Sequence, residues 1–277
     1  MDDGRQLDLF GWDQVKVGEG FSALGRLDLP RAFVIFEAVL SRWPGHPGAS
    51  AGLAMAASWD DALRETERLE RREAAAKLWG RIKSYPFGQW GQAFRKGLIQ
   101  RVIALLEGDC HLYVPPDLCL GRLLLELEDH GRAEEALRAL LGRHLLGARI
   151  LVCLGNCLFQ QGRTGEARVV YARALLAAPW EVEPEGIDDK ELSEAIADQD
   201  IYSAAIWGWL RGVLPLVDVK VGMPHDGKHA GSLQVYQAVR GAERARANGA
   251  HEEMVDQRRL LRQLAPAVFL AYMGRLS

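Results

Sequence analysis

The stretch 151-LVCLGNCLFQQGRTGEARVVYARALLAAP-179 decides how the chain reads. Leu151, Leu154 and Leu158 recur at helical spacing and mark one face of a first helix. Gly162 follows, and glycine takes the left-handed backbone that ends a helix with little strain. Ala167, Tyr171 and Ala174 line one face of a second helix. Pro179 stops it, because proline has no amide hydrogen to continue the ladder. Gly155 and Ala167 are small, which predicts close approach of the two helices, with Tyr171 filling the gap toward the next pair. Val169, Val170, Leu175 and Leu176 add apolar surface beyond one stripe, as a helix pair sandwiched between neighbours requires.

These residues resemble the tetratricopeptide repeat, a helix–turn–helix unit of about 34 residues whose copies stack. The resemblance implies an all-α fold, an α–α superhelix, here followed by a C-terminal helical extension. It implies a non-enzymatic protein–protein scaffold or adaptor, with no cofactor, whose concave face is built from first helices and holds extended peptides. Arg149, Asn156, Phe159 and Gln160 are expected to face that groove, with Leu118 and Arg122 near them. In one subclass a lysine and an asparagine in the groove clamp a partner's terminal carboxylate. Asn156 stands at the position of that asparagine. Val152 replaces the lysine, and Gly121 and Leu125 occupy the matching places one unit earlier, so the clamp is incomplete. The competing reading is that these residues contact the chain's own flanking helices.

Outward from this stretch the pattern recurs. Gly131-Arg132-Ala133-Glu134-Glu135-Ala136-Leu137 reads as a turn entering a second helix, with Ala136 in the place of Ala167 and Leu120, Leu123, Leu124 and Leu127 on the helix before it. Near the start, Gly25–Ala32 reads as the same turn. Ala32, Phe36, Val39 and Pro44 follow at the spacing of Ala167, Tyr171, Ala174 and Pro179, and Gly52 takes the small-residue place of a next unit. Phe87–Glu107 reads as one strongly amphipathic helix, and Asp117 as an N-cap. The expected organisation is a tail over 1–15, a degenerate repeat-like helical region over 16–116, two repeat units over 117–181 and a C-terminal helical capping region over 182–277. Beyond Pro179 the repeat pattern fades. An acidic loop, Glu181–Asp188, is followed by a short helix Lys190–Ala197 capped by Asp188-Asp189, an apolar stretch Ile201–Leu214, a loop Val217–Gly231, and helices over Ser232–Asn248, His251–Leu264 and Pro266–Leu276.

The chain has 277 residues, 48% hydrophobic and 26% charged, with net charge −3. Such a balance lacks the basic excess that nucleic acid or an anionic membrane would attract. No apolar run approaches the roughly 20 residues of a membrane span, and the polar N-terminus lacks the pattern of a secretory signal. Of the four cysteines, Cys110, Cys119, Cys153 and Cys157, the last two sit on one repeat helix and read as small buried residues, not metal ligands. Free thiols suit a reducing compartment, so a cytoplasmic location is expected, with protein or peptide partners, no direct nucleic-acid binding and no membrane.

Motifs for phosphate binding, a serine nucleophile elbow and a zinc helix are missing. His225-Asp226-Gly227-Lys228-His229 reads as a solvated loop rather than a metal site, so no metal is expected. A small-molecule or metal-binding helical protein, or an enzyme, with its site around Asp200, His225 and His229 is one alternative. Trp59, Trp79, Trp90, Trp207 and Trp209 read as packing between helices, and Trp180 as more exposed. Gln6-Leu7-Asp8-Leu9-Phe10 resembles the short motif by which bacterial proteins dock onto the DNA-polymerase sliding clamp. It supports another alternative, a replication or repair accessory.

Overall fold

Four helix-to-helix turns place a left-handed residue at the same register. The φ angles of Leu27, Glu128, Gly162 and Gly249 are 60°, 63°, 78° and 70°. In each, the next amide reaches back five residues: Asp28 to Ala23 O and Asp129 to Leu124 O at 3.0 Å, Arg163 to Leu158 O and Ala250 to Ala245 O at 2.9 Å. This closure ties up carbonyls that the helix end leaves open. Glu128 and Gly162 are 34 positions apart. The structure is a computed structural model that describes residues 3–106, 108–109, 111–142, 147–218 and 224–276, with side chains from residue 11 onward.

Shared turns set the repeat register, and one expectation moves. α6 (Leu120–Glu126) and α7 (His130–Leu141) are joined through Glu128, so Gly131 already lies inside α7. Ala133, Leu137 and Leu140, all buried, hold the places of Ala167, Tyr171 and Ala174, whereas Ala136 is only half-buried. The glycine misled because hydrogen-bond closure forces a glutamate into the left-handed region, a conformation costing about 1–2 kcal/mol for a residue with a Cβ. Glu128 is exposed, so Glu128→Gly removes strain and little packing. It should raise stability by about 0.5–1 kcal/mol, read as a higher urea midpoint at unchanged slope.

The chain packs as two compact units, Met1–Asp129 and His130–Ser277. In the first, α1 (Asp3–Gly25), α2 (Leu29–Arg42), α3 (Pro47–Thr66) and α4 (Arg71–Ser84) pack in sequence order, and α5 (Gln92–Leu106) fills in against α1, α4 and α6. Phe36 is clamped there: a Cβ on Gly20 of α1 would lie 2.5 Å from its ring, and one on Gly52 of α3 2.2 Å. Thus Phe36 does for α1–α3 what the pattern assigned to Tyr171, and Gly52 holds the small-residue place. α5 begins at Gln92 instead of Phe87 and buries a wide arc, Phe94, Gly97, Leu98, Ile99, Val102 and Leu106, because it has neighbours on several sides. Trp90 precedes it and is 48% exposed, stacked on Phe21 at 5.8 Å, so it is not a core tryptophan. Trp59 and Trp79 are buried as expected. A two-residue ribbon pairs β1 (Tyr113–Val114) with β2 (Leu118–Cys119) across a cis Pro115–Pro116 bond. Asp117 caps no helix. Its carboxylate accepts from the Trp79 indole at 3.1 Å and Lys83 at 2.8 Å.

In the second unit α7 packs on α8 (Ala148–Gln160), and α8 on α9 (Thr164–Ala177). Single turns at Pro179–Glu181 and Pro184–Gly186 lead to α10 (Lys190–Ile196), which Asp189 caps by accepting from Leu192 N–H at 3.2 Å. α11 (Ala204–Leu210) buries Ile206 and Trp209 against α9 and α10. α12 (Gly227–Ala247), α13 (His251–Leu264) and α14 (Pro266–Leu276) complete the unit. After Pro179 the repeat gives way to short turns and seven-residue helices, and one of its spacings returns near the end. Gly249 and Pro266 are 17 positions apart, as are Gly162 and Pro179, and Leu27 and Pro44. Ala242 and Leu261, both fully buried, take the places of Gly155 and Ala174, and Arg258 stands where Tyr171 stands. No described helix is long and apolar enough to cross a membrane.

Candidate functional site

The α8–α9 hairpin is the best-formed repeat, and its polar side shows what the groove holds. Gly155 lets Tyr171 pass: a Cβ there would lie 2.3 Å from the ring. Threaded between α8 and α9, the Tyr171 hydroxyl donates to Asn156 Oδ1 at 2.6 Å. The same oxygen accepts from Asp188 N–H at 3.1 Å, and Asn156 Nδ2 donates to Gly186 O at 2.8 Å. Asn156 is 4% exposed, so its amide serves the fold. One turn further, Gln160 Nε2 donates to Asp188 Oδ2 at 2.6 Å. Toward the start of α8, half-buried Arg149 comes within 4.0 Å of the largely exposed Glu183.

Taken together, three of the residues expected to face a partner meet the chain's own 183–188 segment. It runs along α8 in the same direction, with a single turn at Pro184–Gly186. Arg168 of α9 fastens the start of α10, gripping Asp189 at 2.7 and 3.3 Å and also pairing with Glu191. Asp189 is buried, and a buried carboxylate is tolerable only when so fully hydrogen-bonded. Leu118 and Arg122 belong to the other unit. Leu118 is buried in β2, and Arg122 pairs with Glu126 at 2.6 Å beside Arg95. The partner-facing set therefore divides: Asn156 and Leu118 are core, Arg122 is in an ion network, and Phe159 and Gln160 stay near solvent.

What remains open is a concavity of about 580 Å³ lined by Phe159 and Gln160 of α8, by Glu185, Ile187 and Asp188, and by Lys190, Ser193 and Glu194 of α10. Eight carboxylates and one lysine lie between Glu181 and Asp198. Of these, Glu185, Asp188 and Glu194 line the concavity with Lys190, while Asp189 and Glu191 are paired with Arg168, so the lining has an acidic excess. Sequence reasoning named the acidic loop but not its place beside Phe159, because a contact across nearly thirty residues leaves no periodic trace.

A second network holds the hairpin from behind. Glu134 of α7 accepts from Arg163 at 2.7 Å, Arg138 at 2.8 Å and Gln161 at 3.3 Å. Burial raises its carboxyl, but these donors outweigh burial and hold it below the ordinary 4.5. A group held low in the folded state stabilises it fully above its unfolded value, and that stabilisation is lost as pH falls through the folded value. The melting temperature should therefore drop as pH falls below about 4.5. Glu134→Gln should flatten that part of the profile, read by circular dichroism. Cys157, fully buried, donates its thiol to His130 O at 3.2 Å, and burial pushes that thiol up. Cys153 and Cys119 are buried too, and Cys110 lies outside the described residues.

The cluster read as a loop from His225 to His229 is the start of α12. Asp226 accepts from His229 N–H at 2.7 Å. His229 is buried, its Nδ1 facing His225 N–H at 3.2 Å and its Nε2 facing Leu176 O at 2.9 Å. Both ring nitrogens are thereby engaged. His225 stacks on Trp180, and Asp200 pairs with Lys228 at 3.0 Å. No group of three or more histidine, cysteine or acidic residues among the described residues is arranged to hold a metal ion. The backbone of Gln6–Phe10 falls inside α1, and its side chains lie outside the described residues.

The tetratricopeptide repeat family model matches residues 119–181, which span α6 to the turn after α9. The chain contains a tetratricopeptide repeat region. Such a region is in general a scaffold for protein–protein contact, its stacked hairpins presenting extended concave surfaces. No curated protein and no solved structure matches the chain.

Proposed function

We propose that this protein is a non-enzymatic adaptor and that its docking surface is the acidic concavity between the end of α8 and α10. The observation that carries this reading is the split in the groove. The polar side of α8 is occupied by the chain's own 183–188 segment, and the concavity beside Phe159 is open, apolar at its base and rimmed by Glu185, Asp188 and Glu194 with Lys190 as the one cation in its lining. A partner that fits is a cationic segment with an apolar side chain to set on Phe159. Carboxylates arrayed around a groove steer such a segment and lose their pull as salt rises.

The test is cross-linking mass spectrometry in a native lysate with a photoreactive group at position 160. The comparison is between the wild-type chain, Glu185→Lys/Glu194→Lys and Arg149→Ala. Partners carrying basic segments should be captured by the wild type and by Arg149→Ala, and lost from the double variant. Equal capture by all three would place the working surface elsewhere.

A further inference from the structure

The last two helices, α13 and α14, pack as a hairpin whose outer groove is apolar and cationic. Val255 of α13 and Phe269 and Met273 of α14 line it, with Arg258, Arg259 and Arg262 along its edge, around a cavity of about 180 Å³. No described residue outside α13 and α14 contributes to the lining. On the same last helix Leu270 is 69% exposed. Between Arg258 and Ser277 there are four arginines and no acidic side chain.

These arginines differ in how far the fold uses them. Arg275 donates to the Trp209 and Leu210 carbonyls. Arg258 lies over the Tyr272 ring at 5.5 Å, with its Nε covered and without a hydrogen-bond partner. Arg259 meets Asp256 only at 3.5 Å, with its side chain 75% exposed. Arg262 makes no ion pair among the described residues. Arg258 and Arg262 stand four apart, and Arg259 and Arg262 three apart, on one helix face, where like charges repel. An apolar groove edged by such a cluster is completed by an occupant that brings carboxylates together with apolar surface.

We propose that the occupant is the acidic α8–α10 concavity of a second copy of this chain, so that copies associate head to tail. Charge complementarity carries the choice. The concavity offers Phe159 with Glu185, Asp188 and Glu194 around it, and the hairpin offers Val255, Phe269 and Met273 with Arg259 and Arg262. A symmetric pairing of two C-terminal hairpins would set Arg259 and Arg262 against the same pair; of the acids on α13, Asp256 already meets Arg259 and Glu253 already meets Arg244. The asymmetric contact satisfies both surfaces and leaves a free end of each kind, so it propagates. This inference rests on the reading of the concavity as a docking surface and names its partner.

The experiment is sedimentation velocity of the full chain over a hundredfold concentration range, in about 50 mM and about 500 mM salt. Three samples are run besides the wild type: Arg259→Ser/Arg262→Ser, Glu185→Gln/Glu194→Gln, and their equimolar mixture, the neutral replacements being chosen so that the two altered ends do not attract each other. The expected result is a wild-type mass that climbs with concentration at low salt and returns to monomer at high salt. Each double variant alone should be monomeric, and the mixture should form a dimer and nothing larger, because each variant keeps one working end. Dimer formation by the mixture also shows that both variants are folded. A wild type that is monomeric throughout, or either variant still associating alone, overturns the proposal. If the wild type is monomeric while Glu185→Lys/Glu194→Lys still loses its lysate partners, self-association falls and the docking surface stands. If the wild type self-associates and lysate capture is equal for all chains, the adaptor reading falls instead.

Discussion

Gly155→Val should destabilise the second unit by about 2–4 kcal/mol and lower its melting temperature by about 6–12 °C. Even the first atom of the new side chain would lie 2.3 Å from Tyr171 Cε1. The ring has nowhere to go. It is fully buried, and its hydroxyl is held by Asn156 at 2.6 Å, so moving it breaks a buried hydrogen bond as well as the packing. Gly165→Ala in α9 is the matched control: its added Cβ meets nothing within 4 Å, and it should leave stability the same or slightly raised. A Gly155→Val protein melting with the wild type would mean that α8 and α9 do not approach as closely as described.

Asn156→Leu should cost about 2–4 kcal/mol, because it leaves one buried and two partly buried groups without partners at once. The Tyr171 hydroxyl loses its acceptor, Asp188 N–H loses its acceptor, and Gly186 O loses its donor. The 183–188 segment should loosen from α8 in consequence, seen as faster amide hydrogen exchange at Gly186–Asp188 before the rest of the unit unfolds. Arg149→Ala should change stability little, since its approach to Glu183 is 4.0 Å and exposed. If Asn156→Leu melts like the wild type, the asparagine is not holding the segment, and a role toward a partner regains its footing.

Much of the fold is legible in local signals. The Gly155–Ala167–Tyr171–Ala174–Pro179 spacing recurs as Gly20–Ala32–Phe36–Val39–Pro44, and both aromatic rings lie against glycines in the structure. The helix over His251–Leu264 starts just after Gly249 and stops just before Pro266, as those residues predict. Local signals also mislead. Gly131 looks like the turn before α7, but the left-handed residue is Glu128, which has no preference for that conformation. The Gly249-to-Pro266 spacing was readable and repeats that of Gly162 to Pro179. It was masked because Arg258 replaces the aromatic that makes the pattern conspicuous.

The candidate site divides along the same line. Phe159 and Gln160 can be placed at the groove by counting along α8, and the acidic character of 181–198 by counting charges. That Asn156 is buried, that Arg168 reaches Asp189, and that residues 186–188 are hydrogen-bonded along α8 cannot be counted. By itself the sequence determined an all-α repeat hairpin with a known register, because helix periodicity, small residues at crossings and breakers at turns act within a few residues of one another. Only the tertiary structure decided which polar residues face solvent. That choice depends on hydrogen bonds between atoms about thirty positions apart, and a side chain such as Asn156 has the same composition and spacing whether it waits for a partner or is already satisfied by its own chain.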